Sequence, residues 1–432
     1  MMKKILLILF LVAFLNQQAF AVTLFEALIQ TYKNNPELNA ERENINVSEE
    51  DLKISKSSYL PSITISGSKS REDTNKLTNR AGAGVAVNDV DPLAQSIIIE
   101  QTLIDFGRSA DIKKNEIGIN LANVKLLKKE QEILLKAIEA YSGLILANEK
   151  SKINGSNLNL LERQVETDRA RLERGQVTLA DLAQSEASLA GAEAKFIQSK
   201  NDIITNKLNY ENVIGPILNL NSLDKNYNIN YALPNNLSSA IEISKKNNPE
   251  LIIAKLEYKQ SEKDVLISRS DLSPSAKLSY ENSRSKDFSS TYDEREKSTL
   301  KATVTWPIYS GGKNRASLNK NKNLQNRKKL LLDNALKTND TNVASAWSTL
   351  QSSKSLLNSV KSQVKAAEIA NEGITIEYES GLGRSTLDVI QSNSILLDSR
   401  IILANSERNY LLAQFKLLKV VGLLNSNHLK IK

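Results

Sequence analysis

The chain contains no cysteine and only one histidine among its 432 residues. The missing cysteines exclude disulfide bonds and thiolate metal sites, and they lead us to expect no lipid-anchoring cysteine. The single histidine, His428, excludes a histidine-based catalytic dyad or metal cluster, and its place near the C-terminus predicts a solvated side chain. Nucleophile-elbow, phosphate-loop and clustered metal-ligand motifs are also absent from the sequence. We therefore expect neither an enzyme nor a cofactor.

Long apolar runs are missing after the first residues. No later segment approaches the roughly 18 consecutive apolar residues that a membrane-spanning helix requires, which excludes an α-helical membrane protein. Charge of one sign is not concentrated either, because Lys and Arg are interspersed with Asp and Glu and the formal net charge is +8. This distribution does not favour a nucleic acid partner.

The N-terminus has the pattern of a cleaved secretory signal. Lys3 and Lys4 precede an apolar run from Ile5 to Leu15, and the small-residue pattern Ala19-Phe20-Ala21 follows. This order of basic, apolar and small residues is typical of a signal peptide. We predict a signal peptide over residues 1–21.

The chain also contains an internal repeat. The letters NNPEL occur at Asn34–Leu38 and again at Asn247–Leu251, and the flanking segments align without a gap. Each copy predicts a short helix that ends before its proline, because the residue before a proline is biased away from helical backbone. A second helix is predicted to begin at each proline, where the missing N–H is harmless. We infer that a whole unit of the chain has been duplicated.

After each pair of helices the hydrophobic period changes to two. Ile63 and Ile65 alternate with polar residues in the first copy, and the second copy alternates in the same way up to Trp306. We predict β-hairpins over about 62–104 and about 275–308, with polar strand-tip loops at 71–95 and 287–298. Strands of about nine or ten residues with one apolar face suit a membrane β-barrel. A soluble hairpin with one face on a core fits the alternation equally well.

Long proline-free segments with heptad spacing follow each hairpin. Two sets of residues are spaced seven apart: Leu182, Leu189, Phe196, Ile203 and Tyr210, and then Val389, Leu396, Leu403, Tyr410 and Leu417. We predict antiparallel coiled-coil hairpins over about 108–214 and about 313–421, with tips near Gly175 and Gly381. An arm of about 65 residues makes a helix of about 100 Å, which is longer than an ordinary globular core.

Taken together, these features resemble the TolC-type outer-membrane efflux protein family over nearly the whole mature chain. The resemblance is carried by the tandem NPEL helices, the turns DFGR and YSGGK, and the tips RGQVTLADLAQSEASL and SGLGRSTLDVIQSNSIL. The family implies a mainly α-helical fold with a membrane β-barrel part. Each protomer of a trimer would give four strands to one shared twelve-stranded barrel, and four helical stacks to an α-helical barrel that crosses the periplasm.

The resemblance also implies how the chain is divided. A first structural repeat would cover 22–217 and a second 234–425, with an equatorial segment at 218–233 between them and a C-terminal tail at 426–432. Physical reasoning supports oligomerisation independently. Four strands cannot close a barrel, since the smallest membrane barrels have about eight, and an open edge in lipid leaves backbone groups unpaired. The number three comes from the resemblance alone.

The function implied by the resemblance is passive conduction through an exit duct. The duct would lie in outer-membrane lipid of a Gram-negative bacterium, with a periplasmic helical domain and no cofactor. It would work with a periplasmic adaptor and an inner-membrane ABC or proton-driven transporter, in type I protein secretion or in small-molecule efflux. The missing lipid-anchor cysteine favours secretion or mixed use over a duct for drug or metal efflux only. A periplasmic coiled-coil adaptor is an alternative from another class, although it would not need a tandem copy.

The resemblance finally implies a gate at the coiled-coil tips. By motif, the acidic residue at the entrance is Asp388 in STLDVI. Arg384 in GLGRST and Tyr378 in IEYESG would link to Asp181 in TLADLA and hold the helices shut. The family's second acidic position is Gln391 here, which predicts one acidic ring instead of two. An Arg can hold a carboxylate, and symmetry-related Asp side chains concentrate negative charge. Solvated charges at coiled-coil turns are the alternative.

Overall fold

The computed structural model describes residues 23–73, 75–76, 78–84, 89–217, 219–225, 231–289 and 292–431. The predicted signal peptide lies outside these residues, as do parts of the predicted strand-tip loops and of the segment between the repeats. The described chain is mainly helical and contains one four-stranded sheet, as the sequence predicts.

The elements follow one another in two similar series. In chain order they are α1 (Leu24–Asn34), α2 (Pro36–Ser57), β1 (Ser62–Lys69), β2 (Leu93–Ile104), α3 (Arg108–Glu173), α4 (Leu179–Val213), α5 (Leu237–Asn247), α6 (Pro249–Ser270), β3 (Ser275–Ser289), β4 (Tyr292–Thr305), α7 (Lys313–Glu379) and α8 (Thr386–Val420). The long arms α3 and α7 have 66 and 67 residues, which confirms the predicted length of about 65.

The duplicated NNPEL corner ends one helix and begins the next. Asn35 and Asn248 follow α1 and α5 with extended backbone, and Pro36 and Pro249 are the first residues of α2 and α6. Proline suits that position because the first N–H of a helix has no partner within the helix. The asparagine then caps the new helix: the Asn248 Oδ1 accepts a hydrogen bond from the N–H of Glu250 at 2.8 Å, and Asn35 does the same in the first copy.

The four strands form one antiparallel sheet in the order β1-β2-β3-β4. Residues that lie opposite each other in antiparallel strands share a face, and the register gathers apolar side chains on one side of the sheet. This apolar sheet face consists of Ile63, Ile65, Ile97, Ile99, Ala276, Leu278, Tyr280, Leu300, Ala302 and Val304. The opposite face is mostly polar, with rows such as Ser66, Ser96, Ser283 and Lys297. Within the described residues, β1 and β4 each have one edge without a strand partner.

The strands of both hairpins extend further into the predicted strand-tip loops than the sequence predicted. Most of the polar loop predicted at 287–298 is strand, and β2 begins inside the loop predicted at 71–95. Charged side chains pair across the extended hairpin, where Arg284 contacts Glu294 and lies 3.5 Å from Glu296. Cross-strand ion pairs can continue a hairpin beyond its apolar residues. The prediction ended the strands where the apolar alternation ended, which was wrong.

The chain divides into two compact units, and each unit takes segments from both sequence repeats. The first unit comprises the described parts of 1–42, 125–252 and 336–432, and the second comprises the described parts of 43–124 and 253–335. Among the residues that the structure describes, no helix is both long and apolar enough to cross a membrane.

The first unit contains the main hydrophobic core. Its largest fully buried side chains include Leu24, Leu28, Leu134, Ile138, Tyr141, Leu144, Tyr210 and Phe415. The predicted C-terminal tail joins this core, because Leu429 and Ile431 are buried in it. His428, which the sequence predicted to be solvated, is half-buried instead, with its Nε2 lying 3.3 Å from the backbone oxygen of Ala232.

Small side chains occupy a buried stripe on α4 and on α8. The stripe consists of Ser185, Ala192 and Ser199 on α4, and of Ser392, Ser399 and Ser406 on α8, each seven residues apart. Of the heptad residues predicted on α4, Leu182 and Tyr210 are buried, whereas Phe196 and Ile203 are only partly buried. Small side chains at a contact let helix axes approach closely, so these positions contribute to packing that a search for apolar heptads overlooks.

Candidate functional site

The two coiled-coil tips are built in the same way, and both belong to the first compact unit. Thr178 precedes α4 and Ser385 precedes α8, and each forms a capping box with an aspartate three residues later. The Asp181 Oδ2 accepts hydrogen bonds from the N–H of Thr178 at 2.8 Å and from its hydroxyl at 2.7 Å. The Asp388 Oδ2 accepts the corresponding two bonds from Ser385, both at 2.9 Å. Local sequence therefore fixes both carboxylates at the start of a helix.

These hydrogen bonds keep both carboxylates ionised. Backbone and side-chain hydrogen bonds from Ser385 hold the pKa of Asp388 below its usual value, and Arg384 adds a smaller attraction. Bonds from Thr178 lower the pKa of Asp181 in the same way. A carboxylate in the first turn of a helix is also favoured by the helix dipole. The tips thus present two partly exposed negative charges at neutral pH.

Arg384 pairs with Glu377 and forms no ion pair with Asp181 within the described chain, and the link to Asp181 stays a prediction. The Arg384 Nε lies 2.6 Å from the Glu377 Oε2. Two glycines with left-handed backbone, Gly381 at φ 73° and Gly383 at φ 85°, turn the chain between these residues. The turn brings the guanidinium back to the last turn of α7, while the Asp181 carboxylate is used by its own capping box.

Tyr378 contacts Asp168, and not Asp181 as predicted. The Tyr378 hydroxyl donates to the Asp168 Oδ1 at 2.8 Å and lies 3.0 Å from the Thr386 Oγ1. Burial raises the pKa of the Tyr378 hydroxyl, and the hydrogen bond to Asp168 adds to that effect. The Arg171 guanidinium lies 4.3 Å from the centre of the Tyr378 ring. Tyr378 therefore connects the second hairpin to the first at a buried point.

Asp168 is the centre of this network. Its side chain is fully buried, and it also accepts hydrogen bonds from the Gln164 Nε2 at 3.0 Å and from the Ser185 Oγ at 2.5 Å. Together with Tyr378 and Thr386, these residues form the tip network, which takes side chains from α3, α4, α7 and α8. A buried carboxylate costs free energy unless it is well hydrogen-bonded, so the four helices are held together by the need to satisfy it.

The sequence contained a signal for Asp168 that the heptad analysis passed over. The apolar residues Leu158, Leu161, Val165 and Leu172 follow heptad spacing on α3, and Asp168 occupies the core position that is missing from this series. An acidic residue at a core heptad position must find donors or remain outside the core.

The structure brings three of the five predicted gate residues together. Asp181, Tyr378 and Arg384 line one cleft of about 480 Å³, which we call the tip cleft. Asp388 lies just beyond it in the first turn of α8, and Gln391 is exposed on the next turn. Within the described ranges, no group of three or more His, Cys, Asp or Glu side chains is placed to hold a metal ion.

Comparison with known proteins gives relatives over nearly the whole chain. The chain is 26% identical over 421 residues to outer membrane efflux protein BepC of Brucella suis, covering 96% of this chain and 89% of the relative. It is 21% identical over 424 residues to alkaline protease secretion protein AprF of Pseudomonas aeruginosa, covering 96% and 88%. It is also 21% identical over 427 residues to outer membrane protein TolC of Escherichia coli, covering 94% and 84%.

Solved structures have the same fold. The Campylobacter jejuni CmeC outer membrane channel matches with a TM-score of 0.78 at 17% identity, covering 92% of this chain and 85% of that chain. The Neisseria gonorrhoeae MtrE outer membrane channel, solved in its open state, matches with a TM-score of 0.75 at 16% identity, covering 93% and 89%. The family model described as outer membrane efflux protein matches residues 28–215 and 240–423, one range within each predicted repeat. The chain therefore belongs to the outer membrane efflux protein family.

Proposed function

We propose that three copies of this chain form an exit duct across the outer membrane, with the helical hairpins in the periplasm. The duct conducts proteins or small molecules passively, and it receives them from an inner-membrane ABC or proton-driven transporter through a periplasmic adaptor. Relatives named for efflux and for protease secretion support both kinds of cargo. The two repeats, 22–217 and 234–425, are the building units of the tube.

The apolar sheet face is the observation that carries the membrane part of this proposal. Ile63, Ile65, Leu300 and Val304 are 67–77% exposed on it. A sheet that exposes a continuous apolar face needs a cover, and lipid covers one face of a membrane β-barrel. The unpartnered edges of β1 and β4 also need partners in lipid. Neighbouring copies of the same sheet would supply those partners and close a barrel.

A comparison of the two repeats supports assembly of the helical part. In the gap-free alignment of 181–215 with 388–422, the residues Ile197, Ile204 and Leu208 align with Ala404, Leu411 and Phe415. The three on α8 are 0–5% exposed, whereas the three on α4 are 59–69% exposed. The same helix face is thus covered within the chain in one repeat and uncovered in the other. A second copy of the chain would cover the α4 face in the way that the first copy covers the α8 face.

We propose that the tips form the periplasmic entrance of the duct. Asp388 gives each protomer one acidic charge at the constriction, and Gln391 leaves the next turn uncharged. Arg384 and Asp181 line the tip cleft, and Glu377 holds Arg384 in place. Tyr378 and Asp168 hold the two hairpins of one protomer together when the entrance is closed.

The test of this proposal combines oligomeric mass with conductance. The wild-type chain, extracted from outer membranes in detergent, should have the mass of three chains and should form ion-conducting channels in planar bilayers. Replacing Ile197 and Ile204 with glutamate places charges on the uncovered α4 face, and it should yield monomers and no channels because buried unpaired charges oppose assembly. Lys195→Glu is the matched control, since it changes the net charge equally on an exposed position of another face of the same helix.

Two results would count against the proposal. A wild-type chain that fractionates as a water-soluble monomer would refute the proposed duct. Equal assembly of the double glutamate variant and the wild type would show that the α4 face is not an interface.

A further inference from the structure

A second cavity of the first compact unit lies beside the start of α6, well separated in sequence from the tips. It has a volume of about 490 Å³ and takes its lining from α3, α6, α7 and α8. We call it the Pro249 cavity. Its volume is in the range of sites that hold small molecules, which run from about 300 to 1,000 Å³.

One polar group in the lining of this cavity has no partner. Gln131 is 2% exposed, and its Nε2 has no hydrogen-bond acceptor in the part of the chain that the structure describes. The neighbouring Asn248 is fully used, because its Nδ2 donates to the Asn339 Oδ1 at 2.8 Å and to the Val420 oxygen at 3.0 Å. Buried polar groups of folded proteins are normally paired. The unpaired amide at the cavity wall therefore points to a bound group that carries a hydrogen-bond acceptor.

The charges around the cavity favour an anion. Lys128, Lys416, Lys419 and Glu250 line it, which leaves an excess of positive charge. Lys128 is neutralised by Glu250 at 3.1 Å, and Lys416 lies 3.9 Å from a carboxylate oxygen of Glu139. Lys419 has no acidic partner among the described residues. The remaining lining includes apolar side chains, among them Leu135, Ala346 and Ala413.

The first repeat provides an internal comparison. The corresponding corner at Pro36 also has a cleft, lined by Asn209 and Asn212 where the aligned residues of the second repeat are Lys416 and Lys419. The acidic residue of that corner, Glu37, lies 2.6 Å from Lys129 and 3.8 Å from Lys136. The Pro249 cavity thus differs from the Pro36 cleft by the two lysines of the second repeat and by the unpaired amide of Gln131, which lies on α3.

We propose that the Pro249 cavity is a binding site for an amphiphilic organic anion, such as an aromatic sulfonate or carboxylate. The acidic group of the ligand accepts a hydrogen bond from the Gln131 Nε2 and pairs with Lys416 and Lys419. Its hydrocarbon part covers Leu135 and Ala413. The site is formed within a single chain, so the proposal does not depend on the export role.

The test uses naphthalene-2-sulfonate as the probe and naphthalene-2-sulfonamide as its uncharged counterpart. Isothermal titration of the full-length protein in detergent should give one sulfonate site per chain, with binding about tenfold or more tighter than for the sulfonamide, because charge-assisted hydrogen bonds exceed neutral ones. Replacing Lys416 and Lys419 with asparagine, as in the first repeat, should remove that preference. Gln131→Leu should weaken sulfonate binding about tenfold.

The control variant is Lys365→Asn, which removes the same type of charge from an exposed position on α7 that does not line the cavity. It should bind the sulfonate like the wild type. Gln131→Leu should keep the wild-type helical circular dichroism and melting temperature, because it removes an unpaired donor and not a hydrogen bond. Equal affinity for the two probes in the wild type, or sulfonate binding that is unchanged in the double asparagine variant, would overturn the proposal.

Discussion

Removing the Tyr378 hydroxyl should release the second hairpin from the first at the tips. Tyr378 is 7% exposed. Tyr378→Phe keeps the buried ring and deletes the hydrogen bond to the Asp168 Oδ1 at 2.8 Å. The carboxylate keeps its bonds from Gln164 and Ser185, so the network loses one member and no charge is stranded. The substitution therefore measures how much free energy this one hydrogen bond contributes to holding the hairpins together.

The size of the effect follows from the type of bond. A hydrogen bond to a charged group contributes about 1.5–3 kcal/mol to stability. Since each 1.4 kcal/mol is a factor of ten, the equilibrium between held and released tips should change roughly 10- to 150-fold in favour of release. Because Asp168 is fully buried, solvent hardly screens the bond, and this free-energy contribution needs little reduction.

The assay is single-channel conductance in planar bilayers, together with protease sensitivity of the tips. Tyr378→Phe should raise conductance or open probability, and it should expose the tips to cleavage. Asp168→Asn should act in the same direction, and the double variant should be less than additive because both substitutions remove the same bond. Tyr309→Phe, at a tyrosine that is 85% exposed, should change nothing. Unchanged conductance and cleavage in assembled Tyr378→Phe channels would refute the role of the Tyr378–Asp168 bond in holding the hairpins together.

Local sequence chemistry predicted the repeated parts of the fold well. A proline fixes where a helix begins, and the asparagine before it marks the turn, so the corners at Asn35 and Asn248 could be placed from a few letters. Alternation of apolar residues likewise placed the strands. Their ends were missed because ion pairs such as that of Arg284 with Glu294 depend on register, which alternation does not give.

The tip contacts could not be predicted because they depend on distances between helices. The sequence offered several carboxylates within reach of Arg384, and only the geometry of the glycine turn selects Glu377 over Asp181. Asp168 was overlooked for a different reason. Heptad analysis searches for apolar residues, whereas the buried carboxylate of Asp168 is stabilised by donors on its own helix and on two other helices, one of which is far away in sequence. Arg384 and Asp168 take their contacts from tertiary packing, which a sequence motif does not give.

Two further predictions concern the carboxylates at the tips. Asp388→Asn should lower the cation selectivity of the reconstituted channel and Gln391→Asp should raise it, because the first removes and the second adds a negative charge near the entrance. Reversal potentials in a salt gradient measure both changes. Identical potentials in the two variants would contradict the placement of these residues at the entrance. The capping boxes predict a dependence on pH. The pKa values of Asp181 and Asp388 are lowered from 3.8 in the folded chain, so their stabilising effect is present above pH 3.8 and is lost as the pH falls below that value. Hydrogen exchange, corrected for intrinsic rates, should show the first turns of α4 and α8 losing protection in that range and not at higher pH. Asparagine at either position should abolish the pH step in its own helix and leave the step in the other, whereas a step that persists in the substituted helix would show that another group titrates there.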